Sequence, residues 1–323
     1  MTPAAPARAG ERWRACGLAR ARSARAGLAL RSQGAGRVAR ALRPSLVALW
    51  LACGTIHAHP PPERLPVPVQ AQMQTQSPAQ AQAQAPALTR PQFGVFAGPE
   101  GQELDLEWHL PAGPARALVT LQHGFARRCA HLRGLAAVFA DSGYATLCVQ
   151  ADMARGAPDL AAALAQTLAA ALLQPPDGRA LPARVVVAGH STGGLFAARL
   201  GAALAERAPG MLAAVLLFDP VGGAELGDAL RRARGAAAVV PALALLAPPS
   251  RCNAGQRARP ALEAAAVTRV DVEQGTHLDA EGGDTDAVAV WACREGAPRE
   301  AAVRQLRARA LDFADAAVSG PRP

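Results

Sequence analysis

From about residue 92 onward, short apolar runs alternate with longer segments whose apolar residues recur every three or four positions. The runs at 117–121, 145–149, 184–189, 213–218, 242–246 and 267–272 are rich in Val, Leu and Ala and read as buried strands. Between them, helical periodicity covers 130–141, 158–173, 192–207, 225–235 and 257–265, with a last helix at 298–317. Strands separated by helices of this length need crossover connections. The pattern therefore predicts an α/β fold with a mostly parallel central sheet and helices on both faces. Two earlier runs, 92–96 and 103–110, read as an antiparallel pair at the sheet edge. Gly98-Pro99 and Pro175-Pro176 mark turns, and no internal repeat is visible.

The regions before 92 follow different rules. Residues 59–91 are Pro, Gln and Ala, a composition that cannot bury a core and reads as a semi-extended linker. Ahead of it, the apolar run at 44–54 is too short to span a bilayer and matches the apolar part of a signal peptide, with Ala58 as a cleavage position. The chain thus divides into an Arg-rich extension with a signal-like segment (1–58), a linker (59–91), a globular domain (92–318) and a tail (319–323). Export to the periplasm or the exterior is the expectation. A transit peptide is the competing reading, and the protein is cytoplasmic if the extension is not a signal. Cys53 is the one lipidation candidate and hence the one route to a membrane, although Trp50 and Leu51 fit a lipobox poorly.

Charge removes one class of function. The formal net charge is +9, and every cation is Arg. Residues 1–44 carry almost no acid and account for that whole excess, so the remainder is neutral. A nucleic-acid surface needs its charge on the folded domain, so no nucleic-acid partner is expected.

The chemistry sits where a strand meets a helix. Val185-Val186-Val187-Ala188 runs into Gly189-His190-Ser191-Thr192-Gly193-Gly194 and then into a helix-forming stretch. This is G-x-S-x-G in the strand–turn–helix context of a nucleophile elbow. Gly189 and Gly193 are the elbow glycines, placed where side chains would collide in so sharp a turn. Composition alone gives about 0.07 chance matches to the pattern. A serine hydroxyl needs a general base, and only one histidine, His277, lies downstream of Ser191. For the acid, the loop after the 242–246 run holds no carboxylate, whereas the 213–218 run ends in Asp219-Pro220-Val221. A strand-end Asp shares the rim with Ser191, so Asp219 is the candidate acid. Asp271, Asp279, Asp284 and Asp286 are weaker candidates. The backbone N–H groups of Phe125, in Gln122-His123-Gly124-Phe125, and of Thr192 are the candidate oxyanion donors. His123 and His190 are assigned to packing or hydrogen bonding.

On His123-Gly124-Phe125, Gly189 to Gly194, Asp219-Pro220-Val221 and His277-Leu278-Asp279, residues 95–318 resemble the α/β-hydrolase fold family. More narrowly, they are similar to chlorophyllase-type and related bacterial serine hydrolases. The resemblance implies a serine carboxylic-ester hydrolase acting through an acyl-enzyme, on a small-molecule or surface-presented ester. An amidase, thioesterase or acyltransferase on the same triad is the alternative, and a non-catalytic α/β-hydrolase-like binding protein is the alternative outside enzymes. Thr192 stands where the plant chlorophyllases have Arg, and an extra residue separates Gly275 from His277, so chlorophyll is not carried over as substrate.

Cysteine usage adds a constraint. Cys252 follows the strand that lacks an acid, and Cys293 follows His277 by a short stretch. A disulfide between them would restrain the histidine loop in an oxidising compartment. Cys148 lies in a strand and reads as a buried free thiol. No zinc-site spacing and no phosphate-binding glycine loop appears, so neither metal nor cofactor is expected. Residues 220–241 barely hold one helix, which predicts no cap domain and an open site.

Overall fold

A computed structural model describes residues 90–235 and 239–320. The expectations for the signal-like segment, Ala58, Cys53 and the linker lie outside the described residues.

Eight strands form one sheet: β1 (Gln92–Ala97), β2 (Glu103–His109), β3 (Leu118–Gln122), β4 (Ala145–Val149), β5 (Val185–His190), β6 (Leu212–Phe218), β7 (Ala242–Leu246) and β8 (Thr268–Asp271). Their spatial order is β1-β2-β4-β3-β5-β6-β7-β8. The β1–β2 and β2–β4 pairs are antiparallel and the rest are parallel. The antiparallel edge pair and the parallel body both follow the sequence reading. The chain crosses over with α1 (Arg133–Asp141), α2 (Pro158–Ala169), α3 (Thr192–Arg207), α4 (Ala224–Arg234) and α5 (Arg259–Ala264), and it ends with α6 (Ala287–Cys293) and α7 (Glu300–Ser319).

The central strands are buried on both faces, which explains their continuous apolar runs. Successive side chains nevertheless serve different cores. Val185 and Val187 of β5, with Val215 and Leu217 of β6, pack with Leu195, Leu200, Leu226 and Leu230 from α3 and α4. Val186 and Ala188, with Leu216 and Phe218, pack with Leu135 and Phe139 of α1 and Leu306 and Ala310 of α7. Helices therefore cover both faces. No helix among the described residues is long and apolar enough to cross a membrane.

Helix α2 is shorter than its periodicity suggests. Past its end, Ala171 takes a left-handed conformation (φ 51°) and breaks the helical backbone while the apolar pattern continues. The sequence reading also missed α6. It is too short for periodicity to show, and it starts at Asp286, whose side chain accepts from Ala289 N at 2.7 Å as an N-cap.

Candidate active site

Ser191 sits between β5 and α3 with φ 56° and ψ −126°, a strained conformation for a residue with a side chain. Sterics explain the flanking glycines. A Cβ on Gly189 would come within 2.0 Å of Gly193 O, and one on Gly193 within 2.4 Å of the Gln122 and His123 carbonyl oxygens. Backbone bonds hold the turn: Ser191 N donates to Phe218 O (3.1 Å), and Val221 N donates to Ser191 O (3.0 Å). The β6 strand end and the elbow are thus fastened to each other.

Asp219 leaves β6 with φ 41° and is buried. Its Oδ2 accepts from His277 Nδ1 at 2.7 Å. Sequence reasoning did not find its other partners. Asn253 Nδ2 donates to the same oxygen at 3.0 Å, and Ala247 N donates to Oδ1 at 3.2 Å. Both partners lie in or beside the acid-free loop after β7. That loop supplies donors to the carboxylate in place of a carboxylate of its own. Asn253 is fully buried, and its Oδ1 accepts from Ser250 N and Gln256 N, so its amide orientation is fixed.

The weaker acid candidates are occupied elsewhere. Asp279 caps the 3-10 turn His277–Ala280 through Thr276. Asp271 pairs with Arg259, Asp284 accepts from Gly134 N, and Asp286 pairs with Arg127.

His277 opens that 3-10 turn just after β8. Its backbone N donates to Glu295 (2.6 Å), and its carbonyl accepts from His190 Nε2 (2.7 Å). The His190 and His277 rings pack with centroids 4.7 Å apart. Burial first, and the neighbouring His277 second, lower the His190 pKa to about 4, so its ring stays neutral. His123 is buried and hydrogen-bonded to Gly124 O through Nδ1 (2.9 Å). The structural assignment of both histidines agrees with these contacts.

Ser191 and His277 line one cavity of about 420 Å³, together with Phe125 and Thr192. A Cβ on Gly124 would approach Ser191 Cβ to 2.8 Å, so a glycine there lets the loop carrying Phe125 close on the serine. Ser191 is buried, and no hydrogen bond of its Oγ is found among the described residues. Unliganded catalytic contacts are often long and tighten with substrate.

Cys252 and Cys293 form a disulfide, with Cα atoms 5.1 Å apart, and both line the cavity. It joins the β7 loop to the end of α6. The free-thiol expectation for Cys148 is overturned: Cys148 is bonded to Cys129, with Cα atoms 5.7 Å apart. The strand pattern showed burial, but it could not show that the turn before α1 brings Cys129 to β4. His123, Cys129 and Cys148 have ligand-type atoms within 4.8 Å of one another. The two sulfurs are spent on each other, so this grouping offers no thiolate to a metal. The segment between β6 and β7 holds α4, and α6 supplies one wall of the cavity.

No family model matches the chain, and no curated protein matches it. Solved structures do. The esterase Est22 aligns at 15% identity over 72% of this chain and 81% of its own, with a TM-score of 0.51. A variant of the esterase rPPE aligns at 17% identity over 72% and 84%, with a TM-score of 0.51. DcsB in complex with its substrate analogue aligns at 11% identity over 72% and 100%, with a TM-score of 0.53. Identities this low establish the fold, which is that of the α/β-hydrolases.

Proposed function

We propose that this chain is a serine hydrolase that cleaves carboxylic esters through an acyl-enzyme. One observation carries the reading: buried Asp219 accepts a 2.7 Å hydrogen bond from His277 Nδ1, and that imidazole shares a cavity with a serine on a strained elbow. A hydrogen bond at Nδ1 leaves Nε2 as the basic nitrogen.

Ser191 Oγ attacks the ester carbonyl as His277 takes its proton. The Phe125 and Thr192 N–H groups receive the oxyanion, and His277 then protonates the leaving alcohol. Water repeats the sequence to release the acid. Asp219 holds the imidazole and stabilises its cationic form. Two of the structural neighbours are themselves esterases, which supports the class of reaction. The two disulfides fit a protein matured in an oxidising compartment, which supports export.

The test is turnover of p-nitrophenyl esters of rising chain length by the protein and by Ser191→Ala. The reading expects turnover with saturation kinetics and its loss in the variant. Equal rates in both proteins would refute it.

A further inference from the structure

The cavity beside Ser191 has mostly apolar walls, contributed by Phe125, Val221, Leu278, Val288 and the Cys252–Cys293 disulfide. Two charged side chains also face it, Arg127 and Glu281. Arg127 follows Phe125 on the loop after β3, and Glu281 follows the turn that carries His277. Glu281 is fully buried. Arg127 Nε donates to Glu281 Oε1 at 2.7 Å, and Nη2 donates to Oε2. Nη1 donates to Asp286 Oδ2 at 2.9 Å. Each of the three guanidinium nitrogens therefore donates to a carboxylate.

We propose that the Arg127–Glu281 pair makes this cavity selective for uncharged acyl groups. The proposal rests on the reading of the site as an ester hydrolase. A carboxylate on the acyl chain would leave water for an apolar cavity. Every nitrogen of the cation it would meet already donates to a carboxylate, and the two acids around that cation outnumber it. A neutral aliphatic acyl group pays no such penalty. The burial of Glu281 matters, because a buried partner cannot swing into solvent to release Arg127 for an incoming anion.

The test compares two p-nitrophenyl esters of matched shape, the hemiglutarate and the 5-methylhexanoate. In the latter an isopropyl group replaces the carboxylate. The full chain should show kcat/KM about a hundredfold higher for the neutral ester. Glu281→Gln takes the balancing charge from the guanidinium and should bring the ratio to about tenfold or less, whatever it does to the absolute rates. Asp286→Asn is the second variant, because Asp286 is at the start of α6 and Asn keeps an oxygen for the cap. It should move the ratio the same way by a smaller factor. A purely structural role for the pair would lower both rates together and leave the ratio unchanged in both variants, which overturns the proposal. Equal rates for the two esters in the parent protein also overturn it. Absence of turnover with either ester overturns the hydrolase reading itself, and the proposal with it.

Discussion

Asn253 and His277 donate to the same oxygen of Asp219, at 3.0 and 2.7 Å. The amide cannot rotate away, because its own oxygen accepts from two backbone N–H groups and its nitrogen also reaches Pro248 O (2.8 Å). On the proposed reading, Asn253 is a positioning residue for Asp219. Asn253→Ala should lower kcat about tenfold with little change in KM. It should also cost about 1–3 kcal/mol of stability, because buried partners are left unpaired. Steady-state kinetics and a denaturant titration check both. An unchanged kcat with the stability loss alone would reduce Asn253 to a structural part.

Asp219→Asn keeps the shape of the side chain but replaces one carboxylate oxygen with an amide. The His277 tautomer is then no longer enforced. Activity should fall by orders of magnitude, yet less than in Ser191→Ala, because loss of the acid alone usually costs less than loss of the nucleophile. Parallel assays of the two variants at one pH settle the order.

Acid should destabilise this fold in two windows. His190, with its pKa lowered to about 4 by burial, is neutral in the folded protein while its unfolded counterpart takes a proton below about 6.5. Its contribution is present above pH 6.5 and is lost as pH falls towards 4. Burial raises the pKa of Glu107, but hydrogen bonds from His109 and Arg133 outweigh it and hold the carboxyl at about 2. Its contribution is lost between about 4.5 and 2. Melting temperature should therefore decline from neutral pH downward. His190→Gln, though less stable throughout, should flatten the upper window. An identical slope between pH 6.5 and 4 in parent and variant would remove His190 from this account.

Removal of the Cys252–Cys293 bond should act on the site as well as on stability. Cys252 adjoins Asn253, and Cys293 ends the helix that walls the cavity. Cys252→Ala/Cys293→Ala should lose about 2–4 kcal/mol, together with a several-fold fall in kcat. Replacing Cys129 and Cys148 should lower stability with a smaller effect on turnover, since neither lines the cavity. Non-reducing peptide mapping of the parent should recover both linked pairs.

The body of the sheet was legible because its central strands are fully buried and its crossovers are long, so composition and period agree. The elbow was legible because its geometry admits only glycine at 189 and 193. The contact of Asp219 with His277 could be anticipated because a strand end fixes which rim a side chain occupies. Asn253, Glu281 and Arg127 could not. Each acts through a partner far away in sequence, and neither a loop Asn nor a scattered ion pair has a periodic signature. The Cys129–Cys148 bond was missed for the same reason: local pattern gives burial, whereas pairing depends on how α1 and β4 come together.

The most direct test of the account is covalent labelling with a fluorophosphonate, followed by intact mass and peptide mapping. The predicted result is one adduct per chain, on Ser191, with loss of ester turnover in step with labelling and no adduct in Ser191→Ala. His277→Ala should label at least a hundredfold more slowly, because the serine loses its base. A protein that turns over esters while Ser191 stays unmodified, or that labels equally well after Ser191→Ala, would contradict the account.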